Sequence, residues 1–208
     1  MWLDLIDSLR CPNDHEETPL VCVAHRSRDR DLEAGVLGCP VCQAEFTVRD
    51  GIARFGDTPD DTPAAAANAM ADDALVLRIA ALLDLSAPGG VVALSAGAAA
   101  CAPQVAERTA VHAVVVNIAA AQPGTVSALC GVQTLPLAAG SLRGAVLDES
   151  AAPLLASAAR AVRVGGRLIA PAAWAMPEDY HELARDERQW VAEHASARSR
   201  PVVLRVAR

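Results

Sequence analysis

Apolar residues at Trp2, Leu5, Ile6 and Leu9 recur at i, i+3, i+4 and i+7, so a short amphipathic helix is predicted to end before Cys11-Pro12. Leu20 to Val23 and Gly35 to Gly38 then read as short strands. Glu45 to Arg49 follows as a strand, Asp50-Gly51 as a turn, and Ile52 to Phe55 as a last strand-like run. Further along, the pattern changes from alternation to longer apolar runs. Ala64 to Leu85 predicts a helix with Leu75, Ile79, Leu82 and Leu83 inward, and Pro88-Gly89-Gly90 turns the chain into the strand Val91 to Leu94. A helix over Ala99 to Thr109, the strand His112 to Ile118, a weak helix or loop over Ala119 to Leu129, and short strands at Val132 to Leu135 and Gly144 to Leu147 come next. The helix Ala151 to Val162, the strand Leu168 to Ala172, the helix Pro177 to Ala195 and the strand Val202 to Val206 complete the reading. Continuous apolar strands separated by helices predict a doubly wound α/β domain with its parallel sheet covered on both faces.

A polar stretch with two prolines, Asp57 to Pro63, breaks the pattern and suits a linker. The division expected from this is a small unit over residues 1–56, a linker over 57–63 and a truncated doubly wound domain over 64–208. The first unit has too few large apolar side chains to fold on its core alone, so it calls for a metal or a partner.

Composition changes the picture in three ways. Hydrophobic residues make up 52% and mean hydropathy is +0.24, but 45 residues are alanine. The most apolar stretch, Ala87 to Ala121, is broken by prolines, glycines and charges, so no run reaches the roughly 20 residues a membrane helix needs. The opening Met1-Trp2-Leu3-Asp4-Leu5-Ile6-Asp7 has acids where a signal peptide has basic residues, and a cytoplasmic protein is expected. All 18 basic residues are arginine, which excludes lysine Schiff-base chemistry and a P-loop lysine. The net charge of −7 falls within residues 1–62, where 13 acids face 6 arginines; the rest is balanced at 12 and 12. That distribution lacks the basic footprint of nucleic-acid binding.

Six cysteines in a chain expected to stay reduced point to thiols or metal ligands. Cys39-Pro40-Val41-Cys42 has the two-residue spacing that lets both thiolates meet one ion. Cys11-Pro12-Asn13-Asp14-His15 supplies a second, incomplete knuckle. Together they suggest a tetrahedral zinc on Cys11, His15, Cys39 and Cys42, with Asp14, Cys22 and His25 as alternatives for the fourth place. Leu3 to Pro12, Cys39 to Cys42 and Phe46-Thr47-Val48-Arg49-Asp50-Gly51-Ile52 resemble the small zinc-ribbon family that activates methyltransferases acting on transfer RNA and translation release factors. The resemblance covers residues 1 to about 56 and implies a ribbon that binds and stabilises a methyltransferase.

Four segments of the second half are similar in order and spacing to Rossmann-like S-adenosylmethionine-dependent methyltransferases. They are Val91 to Ala99, Val114 to Ile118, Leu135 to Val146 and Ala161 to Leu168. That resemblance implies cofactor contacts at Ser95, Gly97 and Asn117. Of the glycines such a loop needs, Gly97 alone is present; Ser95 and Ala99 stand at other glycine places, and Asn117 stands where an acid would hold the ribose. A small-residue turn packed on the sheet, with the crevice closed, is the expectation. Asp148-Glu149 reads as a solvated pair at a strand end, His112 as a polar strand end, Cys101 and Cys130 as buried inert thiols, and His181 and His194 as part of a solvated helix face. Trp174, Tyr180 and Trp190 are core or contact residues. The leading function is therefore a catalytically silent methyltransferase-like accessory subunit that binds zinc and other proteins, with S-adenosylmethionine not expected to bind. Its alternative is an active methyltransferase carrying its own activator ribbon. Arg198, Arg200, Arg205 and Arg208 around the last strand suggest a basic surface opposite the acidic N-terminal one.

Overall fold

The computed structural model describes residues 1–56 and 72–195. The linker at 57–63, the first part of the predicted helix, the strand Val202 to Val206 and the four C-terminal arginines lie outside them. The chain forms α1 (Leu3–Ile6), β1 (Val21–Arg28), β2 (Asp31–Gly38), β3 (Glu45–Arg49) and β4 (Ile52–Arg54). After the undescribed segment come α2 (Asp73–Leu82), β5 (Val91–Leu94), α3 (Ala96–Ala99), α4 (Ala102–Thr109), β6 (His112–Val116), β7 (Val126–Cys130) and β8 (Leu142–Val146). A 3-10 segment (Glu149–Leu154), α5 (Leu155–Ala161), β9 (Val162–Pro171), β10 (Tyr180–Arg185) and β11 (Gln189–His194) complete the described residues.

The eleven strands of the described residues join one sheet in the order β1-β2-β3-β4-β7-β6-β5-β8-β9-β11-β10. The centre, from β4 to β9, is parallel; both flanks are antiparallel. Strand order reverses between β5 and β8, where the crossovers diverge and a crevice opens beyond the strand ends. The fold is a mixed α/β, Rossmann-like doubly wound sheet. The strands of residues 1–56 are built into it, because β4 runs parallel to β7 with Ile52 opposite Ala128, Ala53 opposite Leu129 and Arg54 opposite Cys130. Leu5, Leu9, Leu20, Leu37 and Phe46 accordingly share a buried core with Leu129, Leu135, Leu137 and Leu142 of the second half. The small unit thus finds its missing apolar partner within its own chain.

Several elements differ from expectation. The stretch read as a weak helix or loop contains β7, all five of whose residues are buried between β4 and β6, so lateral pairing outweighs the poor strand preference of Ser127 and Ala128. Val132 to Leu135 is not a strand: the Asn117 side chain bonds both backbone groups of Val132, at 2.9 Å each, and takes the place of a ladder. Pro177 to Ala195 is not a helix but the β10–β11 hairpin. The Asp186 carboxylate accepts from the N–H groups of Arg188 and Gln189, both at 2.8 Å, and makes its turn. The helix predicted over Ala99 to Thr109 begins at Ala102 as α4, after the separate single turn α3, with Pro103 in the first turn of α4, where it needs no donor. Leu75 is exposed, and Val76 takes the inward place on α2.

Candidate metal centre and switch-point crevice

The first site is built where three short segments meet. Cys11 follows α1 and is fixed by its N–H bond to the Thr18 carbonyl, 2.9 Å. Cys39 and Cys42 lie on the knuckle between β2 and β3, closed by Cys39 N–H to Ala44 O at 2.9 Å and Gln43 N–H to Cys39 O at 3.0 Å. The ligand atoms of Cys11, His15, Cys39 and Cys42 all lie within 4.8 Å of one another, so the group could hold a metal ion. Its internal spacings bear on the geometry. Cys11 Sγ lies 3.7 Å from Cys42 Sγ, and Cys39 Sγ lies 3.4 Å from His15 Nε2. Tetrahedral bonds of ~2.3 Å to sulfur and ~2.0–2.1 Å to nitrogen place such pairs about 3.8 and 3.6 Å apart. The match is within a few tenths of an ångström.

The surrounding polar groups suit the same purpose. His15 Nδ1 lies 2.7 Å from the Glu16 carbonyl, so the ring can donate there and present Nε2 to the cluster. The Ala44 N–H and the Asn13 side-chain amide, 3.3 Å from Cys42 Sγ, bring the Cys42 thiol down to about 6, whereas burial pushes the Cys11 thiol up. Asp14, Cys22 and His25, the alternatives for the fourth ligand, are not in this group: Asp14 is exposed and the other two lie on β1. Cys101 and Cys130 are buried, and burial raises both thiols, as suits inert core residues.

The second site is the crevice at the carboxyl ends of β5 to β8. A cleft of about 590 Å³ opens there, lined in part by Ser95, Asn117, Gly131, Gln133, Ser150 and Leu154, and no described residue on its walls is charged. The expectation of a closed crevice does not hold. What does close is the switch point itself. Asp148, at the end of β8, accepts a hydrogen bond from the Gly97 N–H at the start of α3, and its own N–H donates to Ser95 Oγ at 2.8 Å. Burial opposes its ionisation, but hydrogen bonds from Ser150 and Gly97 outweigh burial and hold the carboxyl below its ordinary value. A β carbon at Gly97 would lie 3.1 Å from the Asp148 Oδ2. Asp148 is therefore not the solvated strand end expected. The signal available in sequence was an acid just after one central strand and a small-residue turn after its neighbour.

Asn117 sits in the left-handed region, φ 58°, with its amide oxygen and nitrogen committed to Val132. His112 is buried: it stacks on Trp2 at 4.7 Å, and Nε2 lies 2.8 Å from Ser127 Oγ. His181 is exposed, but His194 is half-buried and stacks on Tyr180 at 4.9 Å. Trp190 and Tyr180 are core, with Trp190 Nε1 donating to Trp174 O at 3.1 Å and the Tyr180 hydroxyl to Ala159 O at 2.8 Å. Among the described residues no helix is long and apolar enough to cross a membrane.

No family model and no curated protein matches the chain. Among solved structures, the matches include several methyltransferases and the [4+2]-cyclase SpnF. Geranyl diphosphate methyltransferase, in complex with GPP and sinefungin, is 20% identical over 47% of this chain and 43% of its own, with a TM-score of 0.39. The antibiotic-resistance methyltransferase Kmr is 17% identical over 59% of this chain and 93% of its own, TM-score 0.39. The T. thermophilus 16S rRNA N2 G1207 methyltransferase, in complex with AdoMet and guanosine, is 16% identical over 85% of this chain and 45% of its own, TM-score 0.35. The chain thus spans less than half the length of the first and third of these proteins.

Proposed function

We propose that the chain is a catalytically silent methyltransferase-like protein in which residues 1–56 carry a zinc knuckle and residues 64–208 the Rossmann-like part, and that it serves as a protein-binding subunit of a larger assembly. The observation that carries this reading is Asp148 bridging the switch point. Its carboxylate takes the Gly97 N–H and places a negative charge on the turn that a cofactor carboxylate would have to approach. Asn117, at the ribose place, is neutral and spent on Val132. Removing a few contacts of about 1–3 kcal/mol each from a micromolar site leaves S-adenosylmethionine binding weaker than ~100 μM.

The donor set of three thiols and an imidazole suits zinc. Four protein ligands leave no open coordination position, so the ion would act as a structural cross-link among α1, the β2–β3 knuckle and the His15 loop. The observation that favours the second reading, a working methyltransferase, is the uncharged cleft of about 590 Å³ beside the bridge. Calorimetric titration of the full chain with S-adenosylmethionine separates the two. Binding weaker than ~100 μM, unchanged in Gly97→Val, fits the silent protein. Micromolar binding abolished by Gly97→Val refutes the silent protein and favours the working methyltransferase. The subunit role is tested in gentle lysates: migration as a 21.6 kDa monomer at every ionic strength contradicts it.

A further inference from the structure

The two outer edges of the sheet are unequal. At β10, residues His181 to Arg185 are exposed, and charges at Glu182 and Arg185, paired at 2.8 Å, guard that edge. β1 is exposed along nearly its whole length, and no described strand lies beyond it. Its second half is guarded in the usual manner: register shifts between Ala24 and Ser27 break the ladder, and Arg26 and Arg28 pair with Glu33. Among the described residues its first half has no such protection. Val21 is 59% exposed and Val23 57%, and Val21 lies opposite Gly38, which offers it no cross-strand side chain. Val41, 60% exposed, stands on the knuckle that begins just after Gly38.

From these features we infer that the first half of β1 pairs antiparallel with β1 of a second copy of this chain, which extends the sheet across a two-fold axis. Directly opposed residues point to the same face of a sheet, so a symmetric pairing must oppose residues of like parity. The register that sets Val21 against Val23 of the second copy brings all four valines together and centres the axis on Cys22. The charges around this window agree with it. Exposed Glu16 and Glu17 precede β1, and the basic run His25-Arg26-Ser27-Arg28 ends it, so antiparallel pairing sets the acidic end of each copy toward the basic end of the other. The strand is thus complementary in charge to its own antiparallel image. A window this short makes a weak dimer that depends on concentration. The inference does not depend on whether the crevice binds a cofactor.

Sedimentation velocity on the full chain, purified without chelator, from about 1 μM to 1 mM, is expected to show a reversible monomer–dimer equilibrium. Val21→Glu with Val23→Glu, and separately Val41→Glu, change exposed side chains only. The double variant is expected to raise the dissociation constant roughly tenfold or more, and Val41→Glu to raise it by less. Mild oxidation of the concentrated protein with diamide, followed by peptide mapping, is expected to yield a Cys22–Cys22 cross-link that Cys22→Ser abolishes without dissociating the dimer. A chain that stays monomeric over the whole range overturns the inference. So does a dimer untouched by the double valine variant.

Discussion

A histidine at the head of a strand can be solvated or buried, and the difference sets its charge. Burial between Trp2 and Ser127 lowers the pKa of His112 to about 4, with the Asp31 charge opposing the shift only in part. The neutral form is the one folded, so its contribution to stability is intact above the unfolded pKa of about 6.5. It is lost as pH falls toward about 4, because the unfolded chain then binds a proton the native one refuses, and it amounts to roughly 3 kcal/mol at most. Urea titrations of the wild type and His112→Gln between pH 7 and pH 4 should show a shallower acid decline in the variant; parallel curves would contradict this account. The cysteines give the second residue-scale expectation. Elemental analysis should find about one zinc per chain, lost when Cys39 and Cys42 are both replaced by serine, because two neutral hydroxyls cannot supply the thiolates a structural site needs. The Cys39–Cys42 knuckle was legible from its spacing, and His15 from its place four residues after Cys11. That the four ligand atoms meet required the β1–β3 meander, whose pairing brings positions 11 to 15 beside 39 to 42.

At the scale of elements, period decided what was readable. β5 and β6 are nearly unbroken buried runs, which sequence places well. The β10–β11 hairpin is not legible in the sequence because its charges, exposed along β10, look like a solvated helix face and the Asp186 turn leaves no clear local signal. Arg143 was also missed as a structural residue. It is buried on β8 with no carboxylate partner among the described residues, and its guanidinium donates to the carbonyls of Asp84 at 2.7 Å, Gly89 at 3.2 Å and Ala87. The cation thereby ties the chain beyond α2 to the turn that enters β5. Arg143→Ala leaves buried carbonyls unsatisfied, so chemical denaturation should show a loss of about 2–4 kcal/mol; a loss under about 0.5 kcal/mol would mean water replaces the guanidinium.

For the whole molecule, the seam between β4 and β7 matters most. Because the knuckle-bearing strands share one sheet and one core with the Rossmann-like half, they should unfold with it. Calorimetry is expected to give a single transition that moves down as one when a chelator is added; an early separate transition for residues 1–56 would show that the seam does not couple the halves. What the sequence determined by itself was local. It included the α/β class, the paired cysteines and the acidic bias of the first third, because each is written in neighbouring residues or in a short period. Tertiary structure decided what depends on chain segments far apart. The pairing of β4 with β7, the commitment of Asn117 to Val132 and the reach of Asp148 to Gly97 across 51 positions are set by strand order, which short-range pattern does not encode.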